Sequence, residues 1–324
     1  MIRAIGFLLL LSISLQAPAD DSKDRVFLDP VTAGADYQVQ GEYRGILDPG
    51  GQDIEFALQV IALGDHKFDA VGYYGGLPGD GWSRGDNMLK AAGKTENGET
   101  KITGETGYAI IRDGKAVIYT AEDGKVGSLD KVVRQSPTLG AKPPEGAIVL
   151  FDGSSADLFK NGRVEMDNLL AANCESKELL GDHEMHLEFR TPFKPYARGQ
   201  ARGNSGVYLQ SRYECQVLDS FGLEGRNNEC GGIYSISVPA VNACFPPLTW
   251  QTYDIKFTAA AWEDGKKVKN ARTTIKHNGI VIHDDLELPH GTPGKLKEEA
   301  GPAPLYLQGH GNPVYYRNIW VVKK

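Results

Sequence analysis

Turn-forming residues recur along this chain, and almost no stretch repeats apolar residues at the 3.6-residue spacing of a helix. The 324 residues include 39 glycines and 17 prolines, which interrupt helices and favour tight turns. Apolar residues alternate with polar ones in short runs that are bounded by turns such as Asp113-Gly114 and Asp123-Gly124. This pattern predicts an all-β protein of many short strands, with helices in a minor role.

Residues 1–19 have the three parts of a secretory signal. Arg3 supplies a positive charge, residues 4–15 are apolar, and residues 17–19 read Ala-Pro-Ala, a small-residue cleavage site. We therefore expect export to the periplasm or the extracellular space, with an uncleaved membrane anchor as the alternative. No later segment is apolar for long enough to insert in a bilayer. The formal net charge of −7 makes nucleic acid and anionic membranes poor partners.

The chain divides into two β regions. Residues 36–133 predict a small antiparallel sheet or partial barrel, and residues 147–324 are long enough for a two-sheet sandwich or jelly roll. Residues 134–146 contain three prolines and no periodic pattern, so we expect a linker there. Residues 72–82 of the first region are either a sugar-stacking loop or, as we favour, a long turn that Trp82 anchors in the core.

Polar side chains along one face of a predicted hairpin indicate a ligand site. Residues 203–210 lead, after a two-residue turn, into residues 213–219. Side chains alternate between the two faces of a strand. The apolar face carries Val207, Leu209, Cys215 and Val217, and the other carries Tyr208, Gln210, Glu214 and Gln216.

Two further strands are predicted to contribute to this site. Alternation in residues 183–190 separates Glu188 and Arg190 from the apolar side chains, and alternation in residues 304–308 does the same for Gln308. If these faces coincide, the site gathers groups suited to acid–base catalysis. The expected catalytic residues are Glu188, Glu214 and His310. The expected substrate-binding residues are Arg190, Asn204, Tyr208, Gln216 and Gln308.

These residues also have interpretations without function. Glu214 could pair with Arg190 or Arg317 in a cross-strand ion pair, and His310 could be a loop histidine bonded to the backbone. The four cysteines allow three full pairings. A bridge between Cys230 and Cys244 and a pair of free thiols are equally open.

Six separated motifs resemble the 3-keto-disaccharide hydrolase family, a group of exported bacterial proteins. They lie, in the family's order, at residues 150–153, 203–208, 213–219, 250–253, 277–279 and 307–319. The resemblance covers residues 147–324 and implies a concanavalin A-like jelly roll. Two positions depart from the family: Cys215 stands where an aliphatic residue is usual, and Gly309 where an aspartate is common.

The resemblance implies cleavage of glycosides, including disaccharides, that carry a ketone at carbon 3. A separate oxidoreductase would introduce this ketone beforehand, so a carbohydrate is the expected substrate. A base would remove the hydrogen on carbon 2, the glycosidic oxygen would leave by β-elimination, and water would add to the product. The resemblance also implies a divalent metal cation of unknown identity on the ketone oxygen, with Glu214 and His310 as candidate ligands.

Two other functions are open at this point. A sandwich of this type can be a lectin-like module that binds glycans without catalysis. A conventional glycoside hydrolase would use a pair of carboxylates, here Glu188 and Glu214. We favour an enzyme because glutamate and histidine exceed what binding alone requires.

Overall fold

A computed structural model describes residues 25–324. The expected signal segment at residues 1–19 lies outside the described residues. Within residues 25–324, no helix is long and apolar enough to cross a membrane. Nearly all regular structure in this range is β, which confirms the predicted fold class.

The first domain is a closed antiparallel barrel. Helix α1 (Gly34–Val39) precedes ten strands: β1 (Gly41–Leu47), β2 (Ile54–Gly64), β3 (Lys67–Tyr74), β4 (Leu77–Pro78), β5 (Gly81–Trp82), β6 (Met88–Glu96), β7 (Glu99–Gly104), β8 (Gly107–Arg112), β9 (Lys115–Thr120) and β10 (Lys125–Val132). The eight barrel strands pair in the order β1-β10-β9-β8-β7-β6-β3-β2, and β4 pairs with β5 outside the barrel. Apolar residues such as Phe56, Val60 and Phe68 fill the interior.

The barrel closes through a strand that the sequence pattern did not reveal. Strand β6 carries mostly Ala, Gly, Lys and Thr, residues with weak or mixed strand preference, so nothing marked it as a strand. It pairs with both β3 and β7 and turns the expected partial barrel into a complete one. Residues 37–39 belong to α1 and not to the first strand.

The second domain is a sandwich of two antiparallel sheets. Its strands are β11 (Ile148–Phe151), β12 (Phe159–Lys160), β13 (Val164–Glu165), β14 (Leu169–Ala171), β15 (Cys174–Leu180), β16 (His183–Arg190), β17 (Ser205–Leu209), β18 (Tyr213–Val217), β19 (Gln251–Thr258), β20 (Ala261–Glu263), β21 (Lys266–Lys269), β22 (Ala271–His277), β23 (Ile280–Leu288), β24 (Ala303–Leu307) and β25 (Tyr315–Lys323). A 3-10 helix spans Gly199–Ala201.

The two sheets pack face to face. The large sheet has the order β13-β14-β25-β16-β19-β22-β23, with β11 also paired to β25, and the small sheet has the order β12-β15-β24-β17-β18. Leu187 and Phe189 of the large sheet share one core with Val207 and Val217 of the small sheet. Each sheet therefore has an outer face that points away from the other sheet.

The segment between the domains lies against the sandwich. Ser136 Oγ is 2.6 Å from Thr252 Oγ1, and the Gly140 N–H donates to Glu188 at 2.6 Å. These contacts place the expected linker on the outer face of the large sheet.

The four cysteines are buried free thiols. Burial raises the pKa of Cys244, and its neighbour Cys230 hydrogen-bonds to it. The bridge considered between these two residues is therefore not formed, although the fold brings them together.

Candidate functional site

Glu214 and Tyr208 lie side by side on the outer face of the small sheet. In the β17–β18 hairpin, Tyr208 is directly opposite Glu214 and Gly206 is opposite Gln216. Val207 and Val217 point the other way, into the core. The structure therefore has the hairpin with the two faces that alternation predicts.

One residue of the predicted polar face lies elsewhere. Gln210 sits in the turn with a φ of 53°, and its side-chain amide donates to the Leu180 carbonyl oxygen at 2.8 Å. The turn begins one residue earlier than simple alternation assumes, so the placement of Gln210 on the polar face is wrong.

Glu214 is a buried carboxylate without a cationic partner in the described part of the chain. It is 4% exposed, and neither Arg190 nor Arg317 pairs with it, so the ion-pair interpretation is wrong. Burial raises the pKa of Glu214 to about 7, although a hydrogen bond with Tyr208 acts in the opposite direction. A carboxyl group in this state can accept or donate a proton near neutral pH.

Tyr208 has a phenol that can donate a hydrogen bond near Glu214. Burial raises the pKa of this phenol, so it stays protonated. Its hydroxyl donates to the Pro293 carbonyl oxygen at 3.1 Å and accepts from Gln308 Nε2 at 3.1 Å. Gln308 directly follows β24, so the polar face continues from the hairpin to this neighbouring strand.

Three amide side chains form a cluster beside this pair. Gln216 Nε2 donates to Asn204 Oδ1 at 3.2 Å and to Gln200 Oε1 at 3.0 Å, and Asn204 Nδ2 donates to the same Gln200 oxygen at 2.8 Å. Asn204 and Gln216 are among the residues predicted from the sequence, whereas Gln200 is not. Gln200 belongs to a 3-10 helix, and no strand periodicity marks its position.

Residues 291–296 cover the hairpin, and we call them the covering segment. The Thr292 hydroxyl accepts the Glu214 N–H at 2.9 Å. A Cβ on Gly294 would lie 2.4 Å from the Tyr208 hydroxyl oxygen, so the close approach requires glycine. Glu214 is buried beside this segment, and burial raises its pKa.

Glu188 lies on the other side of the sandwich. It is buried on the outer face of the large sheet, where it accepts from Arg317 Nε at 2.6 Å, Asn318 Nδ2 at 3.0 Å and the Gly140 N–H. Burial raises the pKa of Glu188, but the nearby His186 imidazole and these donors outweigh it and lower the pKa to about 2. The expectation that Glu188 shares a face with Glu214 is wrong.

Arg190 is also far from the hairpin face. Its guanidinium lies 5.1 Å from the centre of the Trp250 ring, and that of Arg317 lies 3.9 Å from the same ring. Alternation correctly separated Glu188 and Arg190 from the core. Alternation could not specify which of the two sheets' outer faces they occupy, because side chains on either outer face point away from the apolar core.

His310 follows β24 and is exposed. Its backbone carbonyl accepts from Asn312 Nδ2 at 3.0 Å, and its imidazole has no hydrogen bond to any residue from 25 to 324. In that range, no three His, Cys, Asp or Glu side chains come together to hold a metal ion. Glu214 and His310 therefore have no third ligand of these types in that range, and the metal site stays a prediction.

The hairpin and the sandwich belong to a region with recognisable relatives. Residues 146–322 match the family model of the 3-keto-alpha-glucoside-1,2-lyase-like domain. No curated protein matches the chain.

Solved structures from Parabacteroides distasonis show the same similarity. One protein, provisionally named a glycosyl hydrolase, is 31% identical over 56% of this chain and 85% of its own, with a TM-score of 0.51. Two others with the same provisional name are 18% and 20% identical, cover 56% of this chain and 95% and 94% of their own, and have TM-scores of 0.40 and 0.35. The family match spans more than half of the chain. This protein therefore belongs to the 3-keto-alpha-glucoside-1,2-lyase-like domain family.

Proposed function

We propose that this protein cleaves 3-keto-glycosides and that Glu214 is the catalytic base. The family and the solved relatives point to a glycosyl hydrolase-like enzyme. The observation that carries the finer assignment is the buried carboxylate of Glu214, which pairs with no cationic side chain among residues 25–324 and whose pKa is raised to about 7. Its ionised form can remove a proton at neutral pH, and its protonated form can return one.

The reaction begins at the carbon next to the ketone. Glu214 takes the proton from carbon 2, and the electron pair moves to the ketone oxygen on carbon 3. Tyr208, whose phenol remains protonated, turns its hydroxyl from the Pro293 carbonyl to this enolate oxygen and stabilises it by a hydrogen bond. The enolate then re-forms the ketone and expels the glycosidic oxygen from carbon 1, leaving a double bond between carbons 1 and 2.

Hydration completes the cleavage. Water adds to carbon 1 of the unsaturated ketone, and protonated Glu214 returns the proton to carbon 2. The expelled alkoxide takes the proton that the added water loses, so the sum is hydrolysis with one water consumed. Asn204, Gln216 and Gln308 offer amide groups for the sugar hydroxyls.

A conventional retaining mechanism finds no support in the position of its two candidate carboxylates. Such enzymes hold two carboxyl groups about 5–5.5 Å apart across the bond. Glu214 and Glu188 lie on the outer faces of opposite sheets, and the sandwich core separates them.

Deuterium incorporation tests the mechanism. A 3-keto-glucoside cleaved in D₂O should yield a sugar with deuterium on carbon 2, because the proton that Glu214 returns can exchange with solvent. Direct displacement at carbon 1 leaves carbon 2 unlabelled. The Glu214→Gln variant should lose turnover by about 10²-fold or more.

The same variant separates an enzyme from a lectin. A glycan-binding module has no turnover to lose and should bind sugar nearly as well with glutamine at position 214. Export and supply of the ketone by a separate oxidoreductase stay predictions. A divalent cation also stays a prediction, and the proposed reaction does not require one.

A further inference from the structure

A cavity of about 1160 Å³ lies between the barrel and the sandwich. We call it the interdomain cleft. Barrel strands β2, β3 and β6 form one wall, and sandwich residues from 198–202 and 219–229 form the other. Its volume exceeds the roughly 300–1,000 Å³ of ordinary small-molecule sites, and domain interfaces are common locations for such sites.

Apolar side chains line part of this cleft. Met88 and Leu223 are 40% and 41% exposed, on opposite walls. Trp82 also lines the cleft, and its ring packs edge-on against Tyr73 with the centroids 5.1 Å apart. Tyr73 fixes the indole, so a ligand that contacts Trp82 orders little additional structure.

The charges of the cleft nearly balance. Five basic and six acidic side chains line it, and several neutralise each other. Arg202 pairs with Asp219 at 2.6 Å, and Lys90 pairs with Glu224 at 3.5 Å across the domain boundary. A cleft of this composition has little net attraction for an anion or a cation. Apolar patches among polar groups instead match a neutral glycan, whose rings have apolar faces and polar edges.

One short segment separates the cleft from the site of Glu214. Arg198 and Gly199 line the cleft. The next residue, Gln200, bonds to Asn204 and Gln216 on the polar face of the hairpin. A sugar chain in the cleft would therefore be separated from the amide cluster of Gln200, Asn204 and Gln216 only by the backbone of residues 198–200.

We propose that the interdomain cleft is a second carbohydrate site, which binds a neutral glycan and holds the part of the substrate remote from the cleaved bond. That remote role rests on the proposed function, whereas the neutral, amphipathic character of the ligand follows from the cleft itself. The barrel would then contribute to substrate choice.

A binding measurement can test this site without turnover. The full chain with Glu214→Gln is titrated calorimetrically with maltoheptaose and cellohexaose as neutral probes and with hexagalacturonate as an anionic one. Ala92→Trp places a large side chain in the cleft, since Ala92 is exposed and lines it. Lys94→Trp, two residues along β6 and outside the cleft, is the matched control.

We expect at least one neutral probe to bind, Ala92→Trp to weaken it tenfold or more, and Lys94→Trp to leave it unchanged. Leu223→Ala, which removes exposed apolar surface without adding bulk, should weaken binding at least threefold and serves if Ala92→Trp unfolds. Binding of neither neutral probe, tighter binding of hexagalacturonate, or unchanged binding in the folded cleft variants overturns the proposal. If Glu214→Gln still cleaves a 3-keto-glucoside, the proposed base is wrong, while the binding result stands.

Discussion

Glu214 reduces the stability of the fold at the pH where it would act. Its pKa rises from 4.5 in the unfolded chain to about 7 on folding, so the native state holds the proton more tightly than the unfolded chain. Stability therefore falls as the pH rises from about 4.5 through 7, and the full penalty is present above 7.

The Glu214→Gln variant should be more stable than the parent at pH 8. One pKa unit corresponds to about 1.4 kcal/mol, so the gain should approach about 3 kcal/mol in urea unfolding. At pH 4 the difference should vanish, because both side chains are then neutral. A variant that is more stable but inactive excludes misfolding as the cause of lost turnover. Equal stability at pH 8 would contradict the raised pKa.

The pH dependence of kcat/KM should report the same group. Activity should rise through about pH 7 as Glu214 ionises. The hydrogen bond from Tyr208 lowers the pKa of Glu214, so Tyr208→Phe should move the midpoint to higher pH and also reduce the maximum. An unmoved midpoint in Tyr208→Phe would separate Tyr208 from the titrating group.

The β17–β18 hairpin positions Glu214 through the absence of a side chain at Gly206. A Cβ at Gly206 would lie 2.4 Å from Glu214 Oε1. Gly206→Ala should therefore displace the carboxylate and lower kcat by tenfold or more without removing a catalytic group. Gly181→Ala is the control, since its Cβ would meet nothing within 4 Å, and it should keep full activity.

The outer face of the large sheet holds the segment between the domains through Glu188. Its pKa is lowered to about 2, so its stabilising contribution is complete above about 4.5 and is lost as the pH falls through 2. Glu188→Gln should cost roughly 2 kcal/mol at pH 7, the scale of a charged hydrogen bond, yet keep turnover. Loss of turnover with normal stability would restore Glu188 as a catalytic candidate.

The local alternation of polar and apolar residues predicted the hairpin. It did not predict which polar side chains of different strands share an outer face. Residues 205–209 and 213–217 alternate with period two, so the in-and-out assignment of Tyr208, Glu214 and Gln216 needed only neighbouring residues. Glu188 and Glu214 both point away from the core, and only the long-range pairing of strands assigns them to different sheets. Residues 232–236 resemble a strand in composition, but the structure places turns there.

At the scale of the whole molecule, the two domains share apolar packing. Phe193 belongs to the sandwich, is 0% exposed, and packs in the same apolar cluster as Tyr43 and Phe56 of the barrel. Tyr37 meets its ring edge-on at 5.2 Å. The sequence predicts two domains joined by a linker, but a sandwich residue completes part of the apolar core of the barrel.

Phe193→Ala should cost about 3–5 kcal/mol, the usual range for a buried phenylalanine. The substitution should mainly destabilise the barrel, although residue 193 belongs to the sandwich. Hydrogen exchange should show faster exchange of amides in β1, β2 and β3. If only sandwich amides respond, the two domains are energetically independent.

The covering segment has a consequence for kinetics. Glu214 is buried, and residues 291–296 bind its backbone and lie against Tyr208. Under the proposed function, a pyranose ring therefore reaches this pair only after neighbouring residues such as these move aside. Each cycle of the proposed reaction would then include two movements of the backbone, one before the bond breaks and one before the products leave. The frequency of those movements would set an upper limit on turnover, however fast the proton transfer is.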